Sequence, residues 1–257
     1  MLLAAKLAGL LALMLWGGFA SAKDIYILVI GEAGSANCNA HRFTKAVGVY
    51  QIGLDGAVKP AHDPFEWADC KGGSIWIPLG KQIINAGMAD RVIFMPIGLA
   101  RMRARDWLAD GRAVSKLSSV TNLVVGRKIR FDYALWQQGY SDRGSSGPQY
   151  ISDLSKVIKN VSLNMQITKW IIAQSAGCGA AVSTHIKVAQ SQIALNPLFN
   201  RFLGPDISSL SSAYRSTECN FNEIGQQKVA QLWFRSMQEA DTANVRYQKE
   251  SLLYYFK

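Results

Sequence analysis

The chain has 257 residues, 49% of them hydrophobic, and a formal net charge of +10. That length suits a single α/β domain. The positive charge invites a nucleic-acid reading, but Lys and Arg are scattered, with only short clusters at Arg101-Arg103-Arg105 and Arg127-Lys128-Arg130, which argues against one. A mild basic excess fits contact with anionic glycans or envelope surfaces, or simply a solvated surface.

The first segment reads as an export signal. Lys6 supplies a short positive region, Leu7 to Trp16 are almost wholly apolar, and Ala20-Ser21-Ala22 fits the small-residue cleavage rule. Residues 1–22 are therefore expected to be removed, leaving 23–257 as one domain that is secreted or periplasmic. The apolar run falls short of the roughly 20 residues that span a bilayer, and no later segment is long and apolar enough.

Ile25 to Ile30 form a continuous apolar, β-rich run ending at Gly31, which predicts a strand buried on both faces. Val92 to Ile97, Phe131 to Trp136 and Trp170 to Ala173 repeat the pattern. Helical faces lie between them: Ile75, Leu79, Ile83 and Ile84, then Tyr150, Leu154, Val157 and Ile158. A third, Val229, Leu232, Trp233 and Met237, follows near the C-terminus. The tail 244–257 is mixed polar and aromatic and receives no assignment. Strands alternating with helices predict a mainly parallel sheet in a three-layer α/β/α sandwich. Ligands of such sheets sit beyond the carboxyl ends of the strands. The loops starting at Gly31, Gly98, Gln137 and Gln174 should therefore be neighbours.

The four cysteines, Cys38, Cys70, Cys178 and Cys219, suggest disulfides in an exported chain. Of three possible pairings, Cys38–Cys70 with Cys178–Cys219 is favoured, because each pair then ties loops on one rim. Their spacing is unlike a zinc site, and neither a metal nor a cofactor is expected. No Walker A motif or complete dinucleotide fingerprint is present.

Four segments carry a family likeness. They are Gly31-Glu32-Ala33-Gly34-Ser35-Ala36-Asn37, the stretch ending Ile97-Gly98, Trp136-Gln137-Gln138-Gly139-Tyr140-Ser141-Asp142, and Thr217 to Gly225 with Phe221-Asn222 inside it. Their order resembles the SGNH hydrolases, and among them the sialate O-acetylesterase-like carbohydrate esterases. That family shows G-Q-S-N, an oxyanion glycine, W-H-Q-G-E-S-D and D-x-x-H-F-N-x-x-G. The resemblance implies a flavodoxin-like sheet and a pocket for an acylated sugar. It also implies oxyanion or pocket roles for Gly31, Gly98, Gln138 and Gly139. Substrate-binding roles fall to Trp136, Gln137, Tyr140, Ser141, Asp142 and Arg101.

The departures fall on the chemistry. The nucleophile position reads Ala33, the aspartate position Thr217 and the histidine position Asn220. Alanine has no attacking group, and asparagine cannot take a proton near neutral pH. Ser35 is the fallback nucleophile, with His41 nearby in sequence. The other histidines, His62 and His185, lie outside the motifs. Ser175, in Ala173-Gln174-Ser175-Ala176-Gly177, resembles a nucleophile elbow but lacks a downstream histidine, so a turn on the same rim is expected. Trp136 and Tyr140 head the aromatic candidates for sugar stacking, ahead of Trp67, Trp76 and Trp107. Arg101, Arg103 and Arg105 are candidate carboxylate clamps.

Three readings follow. The chain is a degenerate carbohydrate acetylesterase that binds an acetylated or acidic glycan, an active esterase or acyltransferase with a non-standard nucleophile, or an envelope structural protein.

Overall fold

The computed structural model describes residues 22–179, 181–195 and 200–255. The predicted signal segment 1–22 lies almost wholly outside them. Among the described residues, nine strands and five helices follow in order: β1 (Asp24–Gly31), β2 (Val49–Ile52), β3 (Val58–Pro60), α1 (Trp76–Asn85), β4 (Arg91–Pro96), α2 (Val114–Gly126), β5 (Arg130–Gln137), α3 (Gly147–Asn164), β6 (Gln166–Gln174), β7 (Gly177–Cys178), β8 (Ala181–Val182), α4 (Thr184–Ala194), β9 (Arg201–Asp206) and α5 (Glu223–Tyr255).

Seven strands form one sheet in the order β3-β2-β4-β1-β5-β6-β9. All neighbours are parallel except β3, which pairs antiparallel with β2 at the edge. The run β4-β1-β5-β6-β9 has the order of a flavodoxin-like sheet, with the β2–β3 hairpin added beside it. β7 and β8 make a separate two-stranded ribbon.

The apolar runs become strands because both sheet faces are covered. Ile25, Ile27 and Val29 pack with Trp76, Ile83, Trp233 and Met237, the buried faces of α1 and α5. Leu28 and Ile30 point the other way, toward Val120, Val124, Tyr150, Leu154 and Ile186 of α2, α3 and α4. This is the three-layer α/β/α sandwich expected from the sequence. Chain order reverses around β1, which lies between β4 and β5, so the crevice at its carboxyl end is the natural ligand site.

No described helix is long and apolar enough to cross a membrane. The unassigned tail continues α5 as far as Tyr255.

Both favoured disulfides form, Cys38–Cys70 and Cys178–Cys219. The second closes 41 residues of sequence separation and joins the β7–β8 ribbon to the loop after β9. Cross-linking limits the unfolded chain, so Cys178→Ser with Cys219→Ser is expected to cost about 3 kcal/mol. Thermal melting of the double variant should show a midpoint lower by roughly 8 °C in a chain of this size.

Candidate functional site

A cavity of about 650 Å³ opens at the carboxyl ends of the strands. Its walls come from the loops after β1, β4, β5, β6 and β9. Those loops supply Ala33, Arg101, Tyr140, Ser175 and Asn220, among others. All four cysteines line it, so both disulfides belong to its rim.

The wall built from the end of β1 turns on Gly31. Its φ is +146°, in the half of backbone space that side chains disfavour, and a Cβ there would lie 2.1 Å from the Gln137 carbonyl oxygen. Ala33 then begins a short 3₁₀ turn, Ala33–Ser35. Gly34 lies directly over the Gln137 amide, whose Oε1 accepts the indole N–H of Trp233 at 3.1 Å.

Among the described residues, Glu32 is the one acidic side chain lining the cavity. Its Oε1 accepts the backbone N–H groups of Gly139 at 2.9 Å and Tyr140 at 2.8 Å. The Ser141 hydroxyl donates to its Oε2. Glu32 thus fastens the turn that carries Tyr140 and Ser141. Burial pushes its carboxyl above the ordinary carboxylate value of 4.5, against the pull of those hydrogen bonds. A raised carboxyl favours the folded state while protonated, and that contribution fades as pH climbs through the raised value. Glu32→Gln keeps an acceptor for the N–H groups and removes the charge. Its melting midpoint, relative to the unaltered chain, should therefore rise as pH is increased above 4.5. Melts across a pH series check this.

The arginine-bearing loop after β4 is held from behind. The Gln138 Nε2 donates to the Met102 carbonyl at 3.1 Å and to Asp142 Oδ2 at 2.8 Å. Asp142 Oδ2 also accepts the Ala104 N–H at 2.7 Å. Gln138 and Asp142 are both buried. They position the loop and do not line the cavity, which corrects the binding role expected for Asp142 and the pocket role expected for Gln138.

Other expectations need correction too. Trp136 is fully buried, packed against α3, with its indole N–H on the Tyr150 hydroxyl at 3.1 Å. Trp76 and Trp107 are core residues as well, and Trp67 is partly buried against the same core as Trp136. None of these four lines the cavity, so Tyr140 alone of the stacking candidates does. Ser35 is fully buried, and its hydroxyl donates to the Glu32 carbonyl at 2.7 Å. Ser35 does not line the cavity, which leaves its oxygen turned away from a ligand there. Gly31, Gly98 and Gly139 shape the turns without lining the cavity, and Gly98 is wedged against Ser35.

Ala33 and Asn220 both line the cavity. Thr217 does not, but its hydroxyl oxygen accepts the Asn220 N–H at 3.1 Å. His41 faces Glu223, at 3.5 Å, and His185 bonds the Ser145 carbonyl at 2.9 Å. None of the three histidines lines the cavity. Ser175 and Gly177 do line it, so the elbow-like segment is a turn on the same rim. No cluster of three or more His, Cys, Asp or Glu suited to a metal occurs among the described residues.

Five arginines among the described residues line the cavity: Arg101, Arg103, Arg112, Arg143 and Arg215. Only the first two stood among the sequence candidates, and Arg105 lies outside. Arg143 directly follows the Ser141-Asp142 motif, a signal present in the sequence. Arg112 and Arg215 come from segments with no motif.

No protein-family model matches the chain, and no curated sequence does. Solved structures do match. A protein from Arabidopsis thaliana is 14% identical, with a TM-score of 0.65 over 85% of this chain and 99% of its own. A putative GDSL-like lipase from Parabacteroides merdae is 12% identical, with a TM-score of 0.55 over 84% of this chain and 96% of its own. A Clostridium thermocellum family 3 carbohydrate esterase is also 12% identical, with a TM-score of 0.54 over 86% of this chain and 100% of its own. These likenesses show a shared α/β fold, like that of the GDSL-like lipase and the carbohydrate esterase.

Proposed function

We propose that the chain is an exported, esterase-like protein that holds an acetylated or acidic glycan without turning it over efficiently. One observation carries this reading. The cavity sits at the carboxyl ends of the strands, and it is lined by Ala33 and Asn220, which the sequence resemblance puts at the nucleophile and base positions, with no histidine beside them. Serine hydrolysis needs a nucleophile and a base in hydrogen-bond reach of one another. The fold likeness to a carbohydrate esterase supports a sugar ligand, and the rim disulfides agree with an oxidising compartment outside the cytoplasm. The test is an array of acetylated and acidic oligosaccharides probed with residues 23–257, alongside hydrolysis of p-nitrophenyl acetate. Binding with near-background hydrolysis is expected. Absence of both binding and hydrolysis, or hydrolysis well above background, would overturn the reading.

A second reading, an active carbohydrate O-acetylesterase, is favoured by one contact. The Ser141 hydroxyl donates to the Glu32 carboxylate, and both residues line the cavity. In that reading the Ser141 oxygen attacks the acyl carbonyl and Glu32 takes its proton. The departing sugar alcohol leaves with that proton, and water then releases the acyl group. Turnover abolished by Ser141→Ala in a protein that still folds would establish this second reading over the first.

A further inference from the structure

We propose that an anionic substituent, a carboxylate or a sulfate ester, is what the cavity recognises on its saccharide, seated among Arg101, Arg103 and Arg143. This deepens the reading of a glycan site and rests on it.

Among the described residues, five arginines and one glutamate line the cavity. The carboxylate, Glu32, is already engaged by the Gly139–Ser141 turn. Two of the arginines are engaged as well. Arg112 pairs with Asp106 at 2.9 Å and donates to the Arg101 carbonyl at 3.1 Å. Arg215 donates to the carbonyls of Ile207, Leu210 and Cys219. Arg101, Arg103 and Arg143 form no salt bridge among the described residues, and Arg143 donates one long hydrogen bond, 3.5 Å, to the Tyr140 carbonyl. The Arg143 guanidinium lies 4.4 Å from the Tyr140 ring centroid, and both residues face the cavity.

A concave wall of one sign focuses potential on its ligand. The guanidinium fork matches carboxylate and sulfate oxygens in pairs. A neutral acetylated sugar would cover these cations without supplying a counter-charge, which is costly.

The loop is also set before a ligand arrives. Asp106 Oδ2 accepts the Arg103 N–H at 2.8 Å, while Gln138 and Asp142 hold residues 102 and 104. Arg101 has φ +59°, a left-handed conformation that costs energy in a residue with a side chain and persists only where its surroundings impose it.

Calorimetric titration of residues 23–257 with three probes tests the proposal: trigalacturonate, a sulfated galacto-oligosaccharide without carboxylates, and neutral acetylated xylotriose. One or both anionic probes should bind at least about tenfold more tightly than acetylated xylotriose, and weaken as salt is raised. Which of the two binds names the source of the charge. Arg143→Gln, and Arg101→Asn, which tolerates the left-handed backbone, should each weaken anionic binding about tenfold with melting unchanged. Lys81→Gln, which removes the same charge beside a separate surface groove, should leave affinity unaltered. Acetylated xylotriose bound as tightly as the anionic probes, with no effect of the arginine changes, would overturn this proposal and leave the glycan reading standing. Equal weakening by Lys81→Gln would overturn it too, by showing general charge attraction. Binding of no probe would remove the glycan reading itself.

Discussion

Ala33→Ser, Thr217→Asp and Asn220→His, introduced together, are expected to raise hydrolysis of p-nitrophenyl acetate about 100-fold or more over the unaltered chain. The structure favours the change at each point. Ala33 lies at the carboxyl end of β1 and faces the cavity, so a hydroxyl there meets the ligand. Asn220 faces the same cavity from the loop after β9. The Thr217 side chain already accepts the Asn220 N–H, and an aspartate there keeps an oxygen for that donor. The three act as a unit, so each single change should give little. Steady-state rates of the single and triple variants check this. A folded triple variant without gain would show that these positions do not correspond to a catalytic set.

Gly31→Ala is expected to destabilise the chain by about 5 kcal/mol or more, lowering the melting midpoint by roughly 10 to 20 °C. Two independent penalties combine. The φ of +146° suits glycine, and the added Cβ would meet the Gln137 carbonyl oxygen at 2.1 Å and its carbon at 2.5 Å. Those atoms are backbone of β5, the strand paired with β1 through Gly31↔Gln137. Neither side gives way without parting two central strands. A chemical denaturation curve on the variant measures the loss. A fall below about 1 kcal/mol would mean that the junction is far more compliant than close packing permits.

Much of the central sheet was legible because burial on both faces leaves an unmistakable trace. Ile25 to Ile30, Val92 to Pro96, Phe131 to Trp136 and Trp170 to Ala173 all became strands, with Ile97 just past the second, flanked by the three expected helical faces. The edges were not legible. β9 reads Arg-Phe-Leu-Gly-Pro-Asp, and its Gly204 and Pro205 look like breakers, yet an edge strand tolerates both. β2 spans only four residues, too few for periodicity to register. α2 buries just Val120 and Val124, so it shows no apolar stripe.

At the site, motif position located the loops but did not say which way a side chain points. Trp136 and Gln137 are consecutive on one strand and so face opposite sides of the sheet. Trp136 packs toward α3, while Gln137 reaches Trp233 of α5. Likewise Ser35, two residues past Ala33, turns inward within the same short 3₁₀ turn. Arg112, Arg143 and Arg215 escaped notice because three separate loops contribute the five arginines, and only the folded sheet brings those loops together.

The two disulfides have a consequence for affinity as well as for stability. Each lines the cavity, and each anchors wall segments distant in sequence. A ligand therefore meets walls whose conformational freedom was removed when the bridges formed. That lowers the ordering entropy charged to binding. In the reduced chain the same contacts would form with similar enthalpy but a heavier entropic penalty. Recognition would then weaken in a reducing compartment even where the fold survives, which makes ligand capture conditional on where the protein resides.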